Sequence, residues 1–273
     1  MSATSVPTIF DTTRDRRIPM GVVRDTIAIA KRNLIAYRRV PQLLVFSTIQ
    51  PVIFVIMFRY VFGGAVSGSL PNGVDYVDYL MPGIFVQTVV FGAIATAIGL
   101  STDMKTGLME RFHALPMARS AVLTGRTAAD TTRNVFVVIL MMVVGFLVGW
   151  RIHTNFLAMI AAGLIVVLFG LAMSWVFATV GLAVGDPETA QAAAFPVLAP
   201  LVFASTAFVP ATSMPGWLQV FANHQPVSAN ANAARALTLG GPTTEYVLQA
   251  LAWDIGLLVI FAIISVRLYR KAV

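Results

Sequence analysis

The chain contains no cysteine and little charge, and each shortage excludes a class of function. Without cysteine it has no disulfide, no thiol nucleophile and no thiolate metal site. Only 11% of its 273 residues are charged and 58% are hydrophobic, whereas a typical soluble domain is about 25% charged. Together with a mean hydropathy of +0.81, this composition indicates a polytopic membrane protein.

Motifs for nucleotide binding and for catalysis are also missing. The sequence has no GxxxxGK[ST] loop, so we expect no ATP bound through such a loop. It has no HExxH, no HxxxH and no carboxylate cluster, and His113, His153 and His224 are scattered among predicted loops, which favours surface positions over metal ligation. We therefore expect no enzyme active site, no metal and no cofactor on this chain. Its net charge of +7 lies next to apolar segments, so we expect no nucleic-acid partner.

Six apolar segments predict membrane spans, since about 20 residues at about 1.5 Å each cross the hydrocarbon core. They are Gln42–Phe62, Leu80–Leu100, Asn134–Trp150, Phe156–Val184, Ala190–Val209 and Tyr246–Val266. Pro51 lies inside the first and should kink it. The predicted fold is an all-α integral membrane protein. It has a tail and interfacial helix at 1–41, a six-span transmembrane domain at 42–268 and a tail at 269–273.

The distribution of basic residues predicts the orientation. Residues 1–41 hold eight Lys and Arg, the connection 101–133 holds five and residues 267–273, after the last predicted span, hold three, whereas the alternate connections are nearly empty. Because Lys and Arg concentrate in cytoplasmic loops, both termini are expected in the cytoplasm. Only an even number of spans satisfies this pattern.

Residues Val22–Val40 read as an amphipathic helix lying on the membrane surface. Val23, Ile27, Ala30, Leu34 and Tyr37 share one face, and the basic residues fall elsewhere. Arginines beside an apolar stripe suit anionic lipid headgroups. The basic set is Arg24, Lys31, Arg32, Arg38 and Arg39. A solvated helix of a cytosolic domain is the alternative.

The polar segment 101–126 predicts a second, shorter amphipathic helix at Asp103–Leu115. Apolar residues recur along it at spacings of four, four and three, at Met104, Leu108, Phe112 and Leu115. Ser101 and Thr102 are candidate N-caps, and Pro116 should end the helix. Such a helix is too short to span a bilayer, so we expect it to lie against the membrane or another protein.

The connection 208–241 predicts two short helices on the opposite side of the membrane. One begins at Met214-Pro215-Gly216 and carries Trp217, which suits the membrane–water interface. The other covers about Val227–Leu239. Their apolar content predicts a hairpin that re-enters the outer leaflet, and a plain external loop is the alternative.

Few special residues lie inside the predicted spans. Asp254 is the only ionisable residue well inside an apolar run, and it suits either a substrate pathway or helix packing. Arg59 is expected to extend toward the surface. The pairs Gly145/Gly149 and Gly181/Gly185 indicate close helix packing.

These features together resemble the type 2 ABC transporter permeases, and most of all the daunorubicin-resistance and nodulation-export branch. That branch typically has E-R-x-x-x-L-P-x-x-R followed by G-R and Asp, which matches Glu110, Arg111, Leu115, Pro116, Arg119, Gly125, Arg126 and Asp130. It also has F-V-P-x-x-x-M-P-x-W-L-Q, which matches Phe208–Pro210, Met214, Pro215 and Trp217–Gln219. Gln225 stands where the family often has Asn before Pro-Val.

The resemblance implies a permease subunit of an ATP-driven exporter in a bacterial plasma membrane. Two copies of a cytosolic ATPase subunit would bind ATP and Mg, and a second permease, identical or related, would complete the pathway. The substrate would be an amphipathic drug or a lipid-like molecule. The implied coupling residues are Asp103, Leu108, Glu110, Arg111, Phe112, Leu115, Pro116 and Arg119; those of the outer re-entrant segment are Pro210, Met214, Pro215, Trp217, Gln219 and Pro226.

Two alternatives remain at this point. A polysaccharide or lipid-glycan export permease belongs to the same superfamily. A proton-coupled secondary drug transporter would need carboxylates within the membrane, and Asp254 is the one available.

Overall fold

The computed structural model describes residues 19–39, 41–66, 68, 70, 73–109 and 119–272, and at 19–22, 36–39, 41–47, 65, 119–120 and 271–272 it describes the backbone alone. The regular secondary structure in this part of the chain is helical, without strands. The α-helices are α1 (Pro19–Arg39), α2 (Pro41–Met57), α3 (Gly63–Val66), α4 (Tyr76–Gly92), α5 (Ile94–Lys105), α6 (Arg119–Val148), α7 (Phe156–Val184), α8 (Pro187–Phe203), α9 (Gly216–Asn223), α10 (Pro226–Leu239) and α11 (Thr243–Ala272).

Four of these stretches are long and apolar enough to cross a membrane. They are Tyr76–Lys105, in which α4 and α5 are nearly continuous, together with Ala121–Val148, Phe156–Val184 and Thr243–Arg270. The stretch Thr48–Phe62 is apolar but shorter, and it ends in a π-helical turn at Phe58–Phe62. The chain is therefore a multi-pass helical membrane protein.

The helix predicted as the third span begins much earlier than expected. The sequence pattern placed its start at Asn134, whereas α6 begins at Arg119. The polar residues that looked like loop belong to the helix because they bury their polar groups against the α4–α5 stretch. Thr96 donates a 2.6 Å hydrogen bond to Asp130, and Arg133 donates one of 2.7 Å to the Gly92 carbonyl.

Helix α7 lies at the centre of the bundle. It is apolar on every side, as expected of a helix surrounded by others, and it packs against α4, α5, α6, α10 and α11. A Cβ at Gly181 would lie 2.5 Å from the Ala97 carbonyl oxygen, so only glycine permits this approach of α5. The prediction of close packing is confirmed for Gly181. Its partner Gly185 has φ of +72° and ends α7.

Candidate functional site

An ionic cluster joins three helices at the end of the bundle where α5 finishes. The Asp103 carboxylate lies 3.3 Å from Arg32 Nη2 on α1 and 3.3 Å from Arg126 Nη1 on α6. Arg126 also donates a 3.2 Å hydrogen bond to the Ala95 carbonyl. We call this side of the bundle the basic end. Arg32 was predicted to face lipid headgroups, and the structure places it on Asp103 instead.

Helix α1 is held along α6 by contacts that leave its apolar stripe outside. Ile29 is buried against Gly125, where a Cβ would lie 2.6 Å from the Ile29 Cβ. Thr26 and Thr124 share a 3.2 Å hydrogen bond between their hydroxyls. The side chains of Val23 and Ile27 are 59% and 60% exposed. Exposed Arg24 and Lys31 lie on the same helix, while the side chains of Arg38 and Arg39 lie outside the described residues.

The predicted helix Asp103–Leu115 is wrong at its start. Ser101 and Thr102 are not N-caps, because residues up to Lys105 continue α5. Ser101 donates 3.0 Å hydrogen bonds to the carbonyls of Ala97 and Gly181, and Thr102 donates one of 2.7 Å to Ile98. A turn at Thr106–Gly107 then interrupts the helix. Gly107 has φ of +66°, a conformation that favours glycine.

Of the residues just after this turn, Met109, which the predicted apolar face did not include, is the buried one. Met109 is 2% exposed and belongs to a hydrophobic cluster with Leu123, Trp175 and Tyr269, whereas Leu108 is only half-buried. Met104 of the predicted face packs against the same cluster. The predicted coupling residues Glu110, Arg111, Phe112, Leu115 and Pro116, and the side chain of Arg119, lie outside the described residues.

Two further contacts complete the basic end. Lys105 Nζ lies 2.7 Å from the Asp186 carboxylate, which joins the end of α5 to the turn between α7 and α8. Asp186 is also the N-cap of α8, accepting a 3.0 Å hydrogen bond from the Thr189 amide. The Lys105 hydrogen bond, followed by the two from Thr189, lowers the pKa of Asp186 to about 2.

A cavity of about 400 Å³ lies between α2, the α4–α5 stretch and α6. It extends from the ionic cluster into the bundle, since Arg126 belongs to both. Its described lining contains two arginines, three amide side chains and no acidic side chain. The residues are Gln50, Pro51, Gln87, Thr88, Phe91, Gly92, Ala95, Ile98, Gly99, Arg126, Arg133, Asn134 and Val137.

The two cavity arginines lie over two glycines at matching spacing. A Cβ at Gly92 would be 2.6 Å from Arg133 Nη2, and a Cβ at Gly99 would overlap the Arg126 guanidinium. Gly92 and Gly99 are seven residues apart, and so are Arg126 and Arg133. The two glycines therefore share one face of the α4–α5 stretch, and the two arginines share one face of α6. The sequence interpretation assigned neither arginine to a site, because it placed both in the polar connection 101–133, although it matched Arg126 to the family motif. The matching seven-residue spacings were the available signal.

Asp254 is fully buried between α11 and α10. Asn230 Nδ2 donates a 2.8 Å hydrogen bond to Asp254 Oδ1, whereas Asp254 Oδ2 has no hydrogen-bond partner among the described residues. The carboxyl group does not line the cavity described above. Among the described residues no group of three or more metal-ligating side chains occurs.

The opposite end of the bundle is closed by the segment 204–241. Arg235, 6% exposed, donates hydrogen bonds of 2.8 Å to the Tyr79 carbonyl and 2.7 Å to the Ala207 carbonyl. Its guanidinium lies 3.7 Å above the Tyr79 ring. The predicted helices occur here as α9 and α10, and α10 packs among α4, α7 and α11.

The predicted residues of this segment occupy mixed environments. Trp217 is 75% exposed on α9, as an interfacial side chain would be, and Gln219 donates a 2.8 Å hydrogen bond to the Met214 carbonyl. Pro210 precedes a 3₁₀ turn at Ala211–Ser213, Pro215 precedes α9 and Pro226 begins α10. These prolines therefore set the starts of helical turns.

Comparison with known proteins agrees with this architecture. The family model described as ABC-2 type transporter matches residues 24–239. The chain is 35% identical over 240 residues to the daunorubicin resistance ABC transporter permease protein DrrB1 of Streptomyces coeruleorubidus, covering 88% of this chain and 84% of that protein.

More distant relatives cover as much of the chain. It is 27% identical over 250 residues to a probable doxorubicin resistance ABC transporter permease protein, DrrC, of Mycobacterium tuberculosis, covering 92% of this chain and 90% of that one. It is 24% identical over 260 residues to a putative transport permease, ycf38, of Cyanophora paradoxa, covering 91% and 89%. The resemblance drawn from the sequence motifs is confirmed, and the chain belongs to the ABC-2 type transporter family.

Proposed function

We propose that this chain is the membrane permease subunit of an ATP-driven exporter that moves an amphipathic drug or lipid-like molecule outward. Family membership supports the assignment, and so do relatives named as drug-resistance permeases. ATP and Mg bind to two copies of a separate cytosolic ATPase subunit. A second permease, identical or related, completes the pathway.

The proposed topology has six spans and both termini in the cytoplasm of a bacterial cell. The four long apolar stretches supply four spans, α2 with its π-helical turn supplies the first, and α8 supplies the fifth. The basic end then faces the cytoplasm, in agreement with the Lys and Arg distribution. In this orientation α9 and α10 form the outer re-entrant hairpin.

One observation carries the coupling part of the proposal: Asp103 contacts arginines of both α1 and α6. The segment 106–118 connects α5 to α6, so the ion pairs join both of its flanking helices to the surface helix α1. A force on this segment from a bound ATPase subunit would therefore reach three helices at once. Glu110 and Arg111 are the proposed polar contacts, and Leu108 and Phe112 the apolar ones.

The test is copurification of the ATPase subunit with Glu110→Ala and Phe112→Asp variants at matched membrane levels, together with export. Losing one partner of a partly buried charged contact should weaken binding by about 2–5 kcal/mol. Glu245→Ala, an exposed position at the opposite end of the bundle, is the matched control. Normal copurification and export by both coupling variants would exclude this segment as the coupling element.

The purified permease alone should neither bind nor hydrolyse ATP, because it has no phosphate-binding loop. ATPase activity should be measured for the permease, for the partner and for the two together. Saturable ATP binding by the permease alone would count against the proposal that only the ATPase subunit binds ATP.

A further inference from the structure

We propose that the cavity between α2, the α4–α5 stretch and α6 binds the anionic head of a membrane amphiphile that also carries a hydroxyl group. The inference rests on the proposed function only in naming this amphiphile as cargo. Binding itself requires neither ATP nor the ATPase subunit.

The charge of the lining selects an anion. Arg126 and Arg133 both border the cavity, and no acidic residue occurs in its described lining. Arg126 Nε is buried without a hydrogen-bond partner among the described residues. Guanidinium groups bind phosphate and carboxylate oxygens through paired N–H donors, and more strongly where water is excluded. A cationic head placed here would meet both guanidinium groups, of which Arg126 also pairs with Asp103, and would find no carboxylate in the described lining.

A buried amide supplies the second part of the recognition. Gln87 is 2% exposed, lines the cavity, and its Oε1 has no hydrogen-bond partner among the described residues. Buried polar atoms in native proteins nearly always have partners. An acceptor oxygen requires a donor, and a hydroxyl group on the head provides one. Asn134 Nδ2 is also buried without a hydrogen-bond partner among the described residues, but it lies against Gly170 of α7.

The size and the apolar part of the lining indicate an amphiphile. The volume of about 400 Å³ falls within the range of about 300–1,000 Å³ typical of small-molecule sites. Phe91, Ile98 and Val137 line the cavity beside its polar groups. These side chains suit the first carbons of an alkyl chain, which a free inorganic anion lacks.

The first test uses the purified wild-type chain in a neutral detergent, with radiolabelled dodecyl phosphate as the probe. Dioleoylphosphatidylglycerol, which has a phosphate and hydroxyl groups in its head, should displace the probe. Dodecyltrimethylammonium should not displace the probe. Inorganic phosphate should displace it only at concentrations far higher than either anionic amphiphile requires. Equal binding of the cationic amphiphile, or displacement by inorganic phosphate as effective as by dodecyl phosphate, would overturn the proposal.

The second test changes the site by two independent routes. Gln87→Glu adds a negative charge with little change in shape. Gly92→Ala places a Cβ 2.6 Å from Arg133 Nη2, the end of a flexible side chain. Each should raise the Kd for dodecyl phosphate by about tenfold or more, the scale of one lost charged contact.

Each variant has a matched control outside the cavity. Asn155→Asp exchanges an amide for a carboxylate at the exposed N-cap of α7. Gly163→Ala places a Cβ 2.9 Å from the end of Met142. Both controls should bind as the wild type does. If Gln87→Glu does not fold, Gly92→Ala decides, and wild-type affinity in the folded site variants would refute the proposal. Loss of ATP-driven export with intact binding would instead count against the proposed function.

Discussion

The two ends of the bundle both bury arginine but surround it differently. At the opposite end, Arg235 donates to two backbone carbonyls and to Asn232, and lies on an aromatic ring. At the basic end, Arg126 and Arg133 lie over glycines and border a cavity. An arginine whose donors all contact its own protein fixes the fold. Arg126 and Arg133 also donate to backbone carbonyls, of Ala95 and Gly92, but their side chains border open space.

Two glycines of α4, Gly83 and Gly92, also differ in what surrounds them. A Cβ at Gly83 would overlap the backbone of Ala207 at the opposite end, where nothing can move easily. A Cβ at Gly92 would meet only the end of the Arg133 side chain. The contact at Gly83 is therefore fixed by backbone, whereas the contact at Gly92 involves a side chain that can shift.

The largest expected effect is the loss of Arg235. Arg235→Ala leaves the carbonyls of Tyr79 and Ala207 buried without their donor, and each such loss costs about 1–3 kcal/mol. We expect a strong fall in thermal stability and in membrane yield. Arg235→Lys should rescue it poorly, because one ammonium cannot reproduce the planar fork. Arg267→Ala, at an exposed position on α11, is the control. Equal stability of Arg235→Ala and Arg267→Ala would contradict the structural role assigned to Arg235.

Alanine at Gly83 should be the next most disruptive change. Overpacking against backbone typically costs about 1–3 kcal/mol. Gly92→Ala should cost less, because the guanidinium of Arg133 can move aside. Gly256→Ala has open space around the added methyl group and should be neutral or slightly stabilising. Thermal unfolding of the three purified variants measures the order, and a Gly92→Ala as damaging as Gly83→Ala would contradict it.

Substitutions of the buried Asp254 distinguish a role in helix packing from a role in proton coupling. Asp254→Ala should cost about 1–3 kcal/mol by removing the acceptor of Asn230. Asp254→Asn should retain most of the stability and all ATP-driven export. Export should also persist when a protonophore dissipates the proton gradient while ATP is maintained. Export abolished by both treatments would favour the secondary-transporter alternative.

Much of this architecture was predictable because it depends on local patterns. The limits of α7 and α10 and the start of α9 follow from long apolar runs, from prolines at helix starts and from glycines at helix ends. The family follows from two separated motifs. Such signals lie within one segment and need no knowledge of neighbouring helices.

The site was less predictable because its contacts depend on the register between helices. Asp103 carries no sign in the sequence that it pairs with Arg32 and Arg126. Likewise, the glycines under Arg126 and Arg133 acquire meaning only when α6 is placed antiparallel to α4 and α5. The residues between Arg119 and Arg133 looked like a polar loop because their burial is provided by other segments.

A smaller effect is expected at the ion pairs of Asp103. Asp103→Asn removes the charge facing both arginines, and partly exposed ion pairs contribute about 1 kcal/mol or less. The loss should shrink at high salt, which screens exposed charges. Asp75→Asn is the control, because exposed Asp75 makes no side-chain capping bond at the start of α4. Equal salt dependence in the two variants would argue against a structural role for the Asp103 pairs.

The smallest effect is expected at Lys105 and Asp186, and it should depend on pH. The hydrogen bond from Lys105, with those from Thr189, lowers the pKa of Asp186 from 3.8 to about 2. A carboxyl whose pKa is lower in the folded state stabilises it above the ordinary value, and this contribution is lost as pH falls through the folded-state pKa. The wild-type advantage over Asp186→Asn should therefore be constant near neutral pH and decline between about pH 4 and 2. Asparagine still serves as an N-cap, so the comparison isolates the charge. Glu188→Gln in the same first turn is the control, and thermal unfolding midpoints of the three proteins across this range measure the difference. A decline of the same size in the wild-type advantage over Glu188→Gln would mean that the Lys105–Asp186 pair is not its source.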